Sequence, residues 1–276
     1  MRRALLLLAL LLPAAKSIAT CGDVIRLPAH DGATQQYALT LPDGKAGKTV
    51  ATLVLLAGGG GHLALDAQGC PTALTGNSLV RMRTRFLAAG FATAYVDAPS
   101  DHTGEDGLGG FRVTQAHASD LGQVIRDLRE RTGRAIWIVG TSRGSISAAN
   151  AAARLEGSER PDGVVLTSPV SVGNPQGRKT WVAQTVFDVP LRQLRQPLLV
   201  VGHAEDTCLR SPASMVEKIA TESSSKRRQA VVITGGPGAS VAPGLAACEG
   251  RSPHGFLEQE NELAAGIARF ISGSRY

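Results

Sequence analysis

The chain has 276 residues, 43% of them hydrophobic and 19% charged, which supports a sizeable core and excludes disordered, collagen-like and coiled-coil classes. Its formal charge of +6 is partly an N-terminal matter. Three of the 29 Lys and Arg residues (Arg2, Arg3 and Lys16) lie in the first nineteen positions, which hold no acid, leaving 26 bases against 23 acids elsewhere; with bases and acids interleaved and aromatics at 4%, no nucleic-acid groove is expected.

The opening segment reads as an export signal. Met1-Arg2-Arg3 is a basic head, residues 4–12 are an unbroken apolar run, Pro13 follows, and Ser17-Ile18-Ala19 offers small residues for cleavage near Ala19. The run is short of the roughly 20 residues that span a bilayer, so no membrane span is expected. A lipid anchor at Cys21 is disfavoured, because Thr20 stands where such signals carry Gly, Ala or Ser. Residues 20–276 then form the mature protein, expected to be periplasmic or secreted.

Strands and helices alternate along it. Residues 36–41 alternate as an early antiparallel strand, and residues 50–57 are an apolar run ending in glycines, as in a strand buried on both faces. A helix is predicted over 78–89, a strand over 91–96, and a long amphipathic helix over 113–132 with Leu121, Val124, Ile125 and Leu128 on one side and Gly133 at its end. There follow a strand at 135–139, an Ala-rich helix at 145–155, strands at 163–167 and 198–201, a helix at 212–220, and a last strand at 230–233. The closing helix covers 258–271, with Leu263, Ile267 and Phe270 inward. Repeated β-then-α units predict an α/β fold, a doubly wound, mostly parallel sheet of about eight strands with helices on both faces. No Pro- or Ser-rich linker divides it, so one domain is expected.

Gly140-Thr141-Ser142-Arg143-Gly144 lies between a predicted strand and a predicted helix. In that context Gly-x-Ser-x-Gly makes a sharp turn that lifts the serine hydroxyl above the sheet edge, while the helix N-terminus favours developing negative charge. On these residues the chain resembles the α/β-hydrolase superfamily, and within it small secreted serine hydrolases of the dienelactone-hydrolase-like kind, over roughly residues 49–270. It departs from dienelactone hydrolases in carrying Ser142 where they carry a cysteine, and Ala57-Gly58 where His-Gly is usual at the oxyanion loop.

The resemblance implies the chain order nucleophile, acid, histidine. Asp206, just past the 198–201 strand, is the expected acid, with Glu205 in reserve, and His254 in Ser252-Pro253-His254-Gly255-Phe256 is the expected base. His203 shares the turn of Asp206 and is too close in sequence to be an independent base. The expected chemistry is acyl transfer: His254 takes the Ser142 proton, Asp206 orients the imidazole, and an acyl-enzyme is hydrolysed. The oxyanion donors would be the Arg143 N–H and the loop after residue 57, chiefly Gly59 and Gly60. The Arg143 side chain is expected to pair with Asp97 or Asp101. Between residues 167 and 198 there is room for a small lid at most, with Trp181, Val182 and Phe187 as candidate wall residues.

Four cysteines, Cys21, Cys70, Cys208 and Cys248, allow three disulfide connectivities in an oxidising compartment. If Asp206 and His254 must meet, their loops bring Cys208 and Cys248 together, leaving Cys21 for Cys70. No cysteine spacing suits zinc. His102 with Asp101, and His117 with Asp120, lack a third ligand at a recognisable spacing, read as solvated polar faces, and imply no metal.

The expected partner is a small-molecule acyl substrate, such as an ester or related compound, with no cofactor. Two alternatives are a non-catalytic ligand-binding protein on the same fold and a serine peptidase. A dinucleotide reading of Gly59-Gly60-Gly61-His62-Leu63-Ala64 fails, since Gln68-Gly69-Cys70-Pro71 follows where a helix should open.

Overall fold

The structure is a computed structural model that describes residues 20–42, 49–238 and 242–276. The expected export signal lies outside the described residues. Among the described residues no helix is long and apolar enough to cross a membrane.

Eight strands form one sheet: β1 (Asp23–Pro28), β2 (Thr34–Thr40), β3 (Thr52–Leu56), β4 (Ala92–Val96), β5 (Ile136–Thr141), β6 (Gly163–Thr167), β7 (Leu198–His203) and β8 (Arg228–Ile233). Their order is β1-β2-β4-β3-β5-β6-β7-β8. The first two run antiparallel to their neighbours and the remaining six are mutually parallel. Sequence patterning did not register β1, a half-exposed edge strand of mixed polarity joined to β2 through a turn where Asp31 and Gly32 take positive φ. The doubly wound α/β expectation holds.

Among the described residues five helices cover the two faces: α1 (Ser78–Ala88), α2 (Gln115–Thr132), α3 (Gly144–Arg154), α4 (Val216–Glu222) and α5 (Glu260–Ile271). Alternation along the central strands distributes side chains between them. Val54, Leu56, Ile136 and Ile138 pack with Leu121, Ile125 and Leu128 of α2, Ala148 and Ala152 of α3, and Ile219 of α4. Leu53, Leu55, Trp137 and Val139 pack on the other face with Leu79, Met82 and Phe86 of α1 and Leu263, Ile267 and Phe270 of α5. Burying one such Leu or Phe is worth about 1.5–3 kcal/mol, which is why β3 to β7 read as unbroken apolar runs.

Helix starts follow their caps. Asn77 accepts from the Leu79 N–H and opens α1. Thr114 accepts from the His117 N–H, so α2 begins two residues later than its periodicity suggested. Residues 212–220 divide into a single tight turn, Ala213–Met215, and α4. The polar pair His117 and Asp120 is not solvated as expected: both side chains sit on the packed face of α2 and are buried.

Candidate active site

The parallel strands end at one sheet edge, and every candidate residue is carried there. Ser142 takes a positive φ of 51°, the strained backbone of a strand-to-helix elbow. Gly140 and Gly144 permit it, because a Cβ on Gly140 would lie 2.3 Å from the Gly144 carbonyl oxygen and one on Gly144 would lie 2.1 Å from that of Leu56. The elbow is pinned by its own backbone: the Ser142 N–H donates to Thr167 O at the tip of β6, and its carbonyl accepts from the Ser145 N–H and Oγ.

His254 sits in a one-turn helix, Pro253–Gly255, capped by Ser252, whose hydroxyl also donates to Ala247 O and Glu249 O. Asp206 follows β7. Its Oδ2 lies 2.8 Å from His254 Nδ1, and its Oδ1 accepts from the Cys208 N–H. Both side chains are almost completely buried, 3% exposed for His254 and 1% for Asp206. A carboxylate on Nδ1 fixes the tautomer with the hydrogen there, leaving an Nε2 lone pair. That Nε2 is buried without a protein hydrogen-bond partner among the described residues. His254 and Ser142 line the same cleft of about 350 Å³, with Gly58, Gly59, Leu74, Asn77 and Gly250.

The other acid and base considered in this region are engaged elsewhere. His203 is buried with both ring nitrogens used, Nε2 on Gln259 Oε1 and Nδ1 accepting from the Glu205 N–H. Glu205 is exposed and makes no bond to His254.

The carbonyls of the glycine loop after β3 are taken by hydrogen bonds. Arg112 Nη2 donates to Ala57 O and Gly59 O, the Leu108 N–H donates to Gly60 O, and the Gly61 N–H donates to Gly58 O. Gly58 touches the elbow, since a Cβ there would lie 2.8 Å from Ser142 Cβ. Gly59 lines the cleft, whereas Gly60 packs against Gly107 and is not among the lining residues. Asp97 braces the next stretch, its oxygens accepting from the N–H groups of Leu63 and Leu65.

Arg143 corrects an expectation. Its side chain pairs with neither Asp97 nor Asp101; its guanidinium lies 4.0 Å over the Trp181 ring. Asp97 is already filled by backbone donors, Gln36 and His62, and stacking on an aromatic face suits a planar, half-buried cation. Burial and the charge of Arg210 push the Arg143 pKa down to about 10, with Asp106 opposing. Trp181 sits in a one-turn helix, Thr180–Ala183, in the segment between β6 and β7.

Two positioning arginines escaped the sequence reading. Arg112 is fully buried, bonded also to Ser147 Oγ; burial and the Arg143 charge push it down to about 9. Arg81 joins the histidine loop to α1, donating to Gly76 O, Gly250 O and Gly255 O and pairing with Glu260. Arg81 stands within a predicted helix and Arg112 just before one, and neither belongs to a motif. Only the bonds across 50 or more residues reveal them.

The structure joins Cys208 to Cys248 and Cys21 to Cys70. The first ties the acid loop to the histidine loop; the second fastens the start of the described chain to the segment between β3 and α1.

No protein-family model matches the chain, and comparison with curated proteins finds no match. Solved structures do resemble it. A cold-adapted esterase from an Arctic intertidal metagenomic library superposes with a TM-score of 0.60 at 14% identity, covering 92% of this chain and 93% of that one. Est1E from Butyrivibrio proteoclasticus gives 0.60 at 15% identity over 91% and 98%, and a dienelactone hydrolase from Anabaena variabilis gives 0.57 at 16% over 92% and 97%. The chain has the α/β-hydrolase fold.

Proposed function

We propose that the protein is an exported serine hydrolase that cleaves an ester or related acyl bond of a small molecule, with Ser142 as nucleophile, His254 as general base and acid, and Asp206 as the orienting carboxylate. The observation that carries this reading is the buried Asp206–His254 pair, whose free Nε2 belongs to the same cleft as a serine on a strained elbow. The likeness to esterases supports it at the level of fold.

His254 Nε2 takes the Ser142 proton as Oγ attacks the acyl carbon. Asp206 keeps the other ring nitrogen protonated and stabilises the imidazolium that forms. Negative charge gathers on the carbonyl oxygen, where the Arg143 N–H at the start of α3 and the N–H groups of Gly58 or Gly59 serve as donors. Gly60, expected as a donor, is not among the residues that line the cleft. The imidazolium then gives its proton to the leaving group. Water, activated by the same nitrogen, hydrolyses the acyl-enzyme.

Arg112 acts at one remove in this scheme. Its bonds to Ala57 O and Gly59 O fix those two peptide planes, and with them the directions of the Gly58 and Gly60 N–H groups. The segment between β6 and β7, with Trp181, Val182 and Phe187, contributes no lining residue to the cleft, and a site without a lid suits small or exposed acyl groups better than long lipid chains.

The test is a panel of acyl esters graded by chain length, assayed with wild type and Ser142→Ala, alongside a fluorophosphonate probe. One adduct mapped to Ser142, absent in the variant, is expected. Equal labelling of Ser142→Ala would overturn the nucleophile. A wild-type protein that neither turns over esters nor takes the probe would instead be a binding protein on this fold.

A further inference from the structure

A second histidine cluster lies beside the loop that carries the glycines. His30 comes from the turn between β1 and β2, Asp101 and His102 from the loop after β4, and Asp120 from α2. Sequence offers only the adjacent Asp101 and His102. The fold supplies the third member, 71 residues away from Asp101.

Each histidine is held by its Nδ1. The His30 ring lies 2.6 Å from Asp120 Oδ2, while the backbone N–H of His30 donates to Asp120 Oδ1, so both oxygens of that buried carboxylate are spent on His30. His102 Nδ1 lies 3.2 Å from the Gly107 carbonyl, an acceptor only. Both rings are thereby set with hydrogen on Nδ1 and a lone pair on Nε2. Phe111 packs on both, its centroid 4.5 Å from His30 and 4.2 Å from His102, which limits ring rotation.

The two Nε2 atoms converge on one oxygen. Asp101 Oδ2 is 3.0 Å from His30 Nε2 and 3.9 Å from His102 Nε2. A nitrogen lone pair facing a carboxylate oxygen at that distance is repulsive unless a cation lies between them. A proton can serve, and a divalent ion would serve both histidines at once.

We propose that His30, Asp101 and His102 form a binding site for a transition-metal dication of the zinc type, ligated by His30 Nε2, His102 Nε2 and Asp101 Oδ2. Their ligand atoms lie within 4.8 Å of one another, and bonds of about 2.0–2.1 Å in a tetrahedral site would draw them to roughly 3.3 Å, a side-chain adjustment. Two imidazoles and one carboxylate suit zinc, cobalt or nickel better than calcium or magnesium, which take oxygen ligands. Asp120 behind His30 and the Gly107 carbonyl behind His102 are the supports that ligating histidines ordinarily have. Asp101 is 47% exposed, so an ion reaches the site from solvent.

The consequence is mechanical. Gly107 O holds His102, and the neighbouring Leu108 N–H holds Gly60 O, so a bound metal would tie the β1–β2 turn and the post-β4 loop together beside the glycine loop. It lies outside the cleft lined by Ser142 and His254, and takes no part in the acyl chemistry.

Zinc and a proton compete for His30. His102 and the buried, neutral His117 are the other titratable groups near His30. A ligating imidazole must be unprotonated, so metal binding should weaken as the pH falls.

The test is isothermal titration of the metal-stripped protein with zinc chloride at pH 7.5, repeated with His102→Ala, Asp101→Asn and His254→Ala, with circular dichroism confirming the fold of each. One equivalent of zinc is expected to bind wild type and His254→Ala alike, raising Tm in both. The His102 and Asp101 variants should bind at least tenfold more weakly, and calcium should give no heat. No stoichiometric binding to wild type, or equal binding to His102→Ala, overturns the proposal; so does loss of binding in His254→Ala, which would place the ion at the cleft.

Discussion

Two carboxylate–histidine pairs in this molecule share the same first contact and differ in the second. Asp206 holds His254 by Nδ1 at 2.8 Å, and Asp120 holds His30 by Nδ1 at 2.6 Å. Beyond His254, Nε2 is buried, unpartnered and part of a cleft that includes Ser142; beyond His30, Nε2 meets Asp101. The buried carboxylate does the same work in both, setting a tautomer. The proposed roles differ with what lies beyond the second nitrogen: an open cleft shared with Ser142 suits a base, whereas a further carboxylate suits a cation site.

The largest effect should separate the pairs outright. Ser142→Ala and His254→Ala are each expected to lower kcat by about 10⁴ or more, while His30→Ala leaves kcat on a small ester within a few fold. Steady-state kinetics that show His30→Ala as silent as His254→Ala would break the comparison. Asp206→Asn, which keeps the shape and loses the tautomer, should cost about 10⁴ in kcat. Asp120→Asn should spare kcat and instead lower stability by about 1–3 kcal/mol, measured by urea unfolding, because its partner is left poorly matched.

A smaller effect sharpens the difference in rigidity. The Cys208–Cys248 bond closes a 40-residue separation across the two loops that carry Asp206 and His254, worth up to about 4 kcal/mol in the chain-entropy model. Cys208→Ser with Cys248→Ser should lower the unfolding midpoint by a corresponding amount and reduce kcat. Mild reductant should diminish activity before the far-ultraviolet signal of the sheet changes. Free thiols at both positions in protein purified without reductant would contradict the pairing.

The smallest effect is electrostatic. The His30 pKa is raised, so its protonated form stabilises the metal-free fold below about pH 6.5, and that contribution fades as the pH rises through the higher folded value. His117 runs the other way: burial first, then the Arg112 charge, holds it well below 6.5, so stability is lost as the pH falls below the unfolded value. Melting curves of metal-free wild type and Asp101→Asn across pH 5 to 8 should differ most at the acid end. Curves that differ equally at every pH would deny His30 its charge.

Much of this was legible in the chain itself. Strands β3 to β7 announced themselves as apolar runs because a strand covered on both faces has no polar side to show. Ser142 was visible because its turn needs glycine on either side, a local steric demand written as Gly140 and Gly144. Asp206 and His254 were named from the chain order that the resemblance implies, and their expected convergence brought Cys208 and Cys248 with it. Beta1 was missed because an edge strand carries no continuous run, and His117 and Asp120 were misjudged because polar residues on α2 gave no sign that it buries both.

What only the tertiary structure decided are the contacts between remote, flexible or polar groups. Arg143 is one residue from the candidate nucleophile, yet its long side chain chose the Trp181 ring over the acids after β4, since Asp97 was already filled by backbone donors. Arg112 holds the carbonyls of a loop more than fifty residues earlier, and His30 meets Asp101 only because β2 pairs with β4 in the sheet. Local sterics and periodicity act over a few residues and leave a signature in the sequence. Side-chain meetings across a sheet depend on strand order and on which partners are already satisfied, and those are properties of the assembled fold.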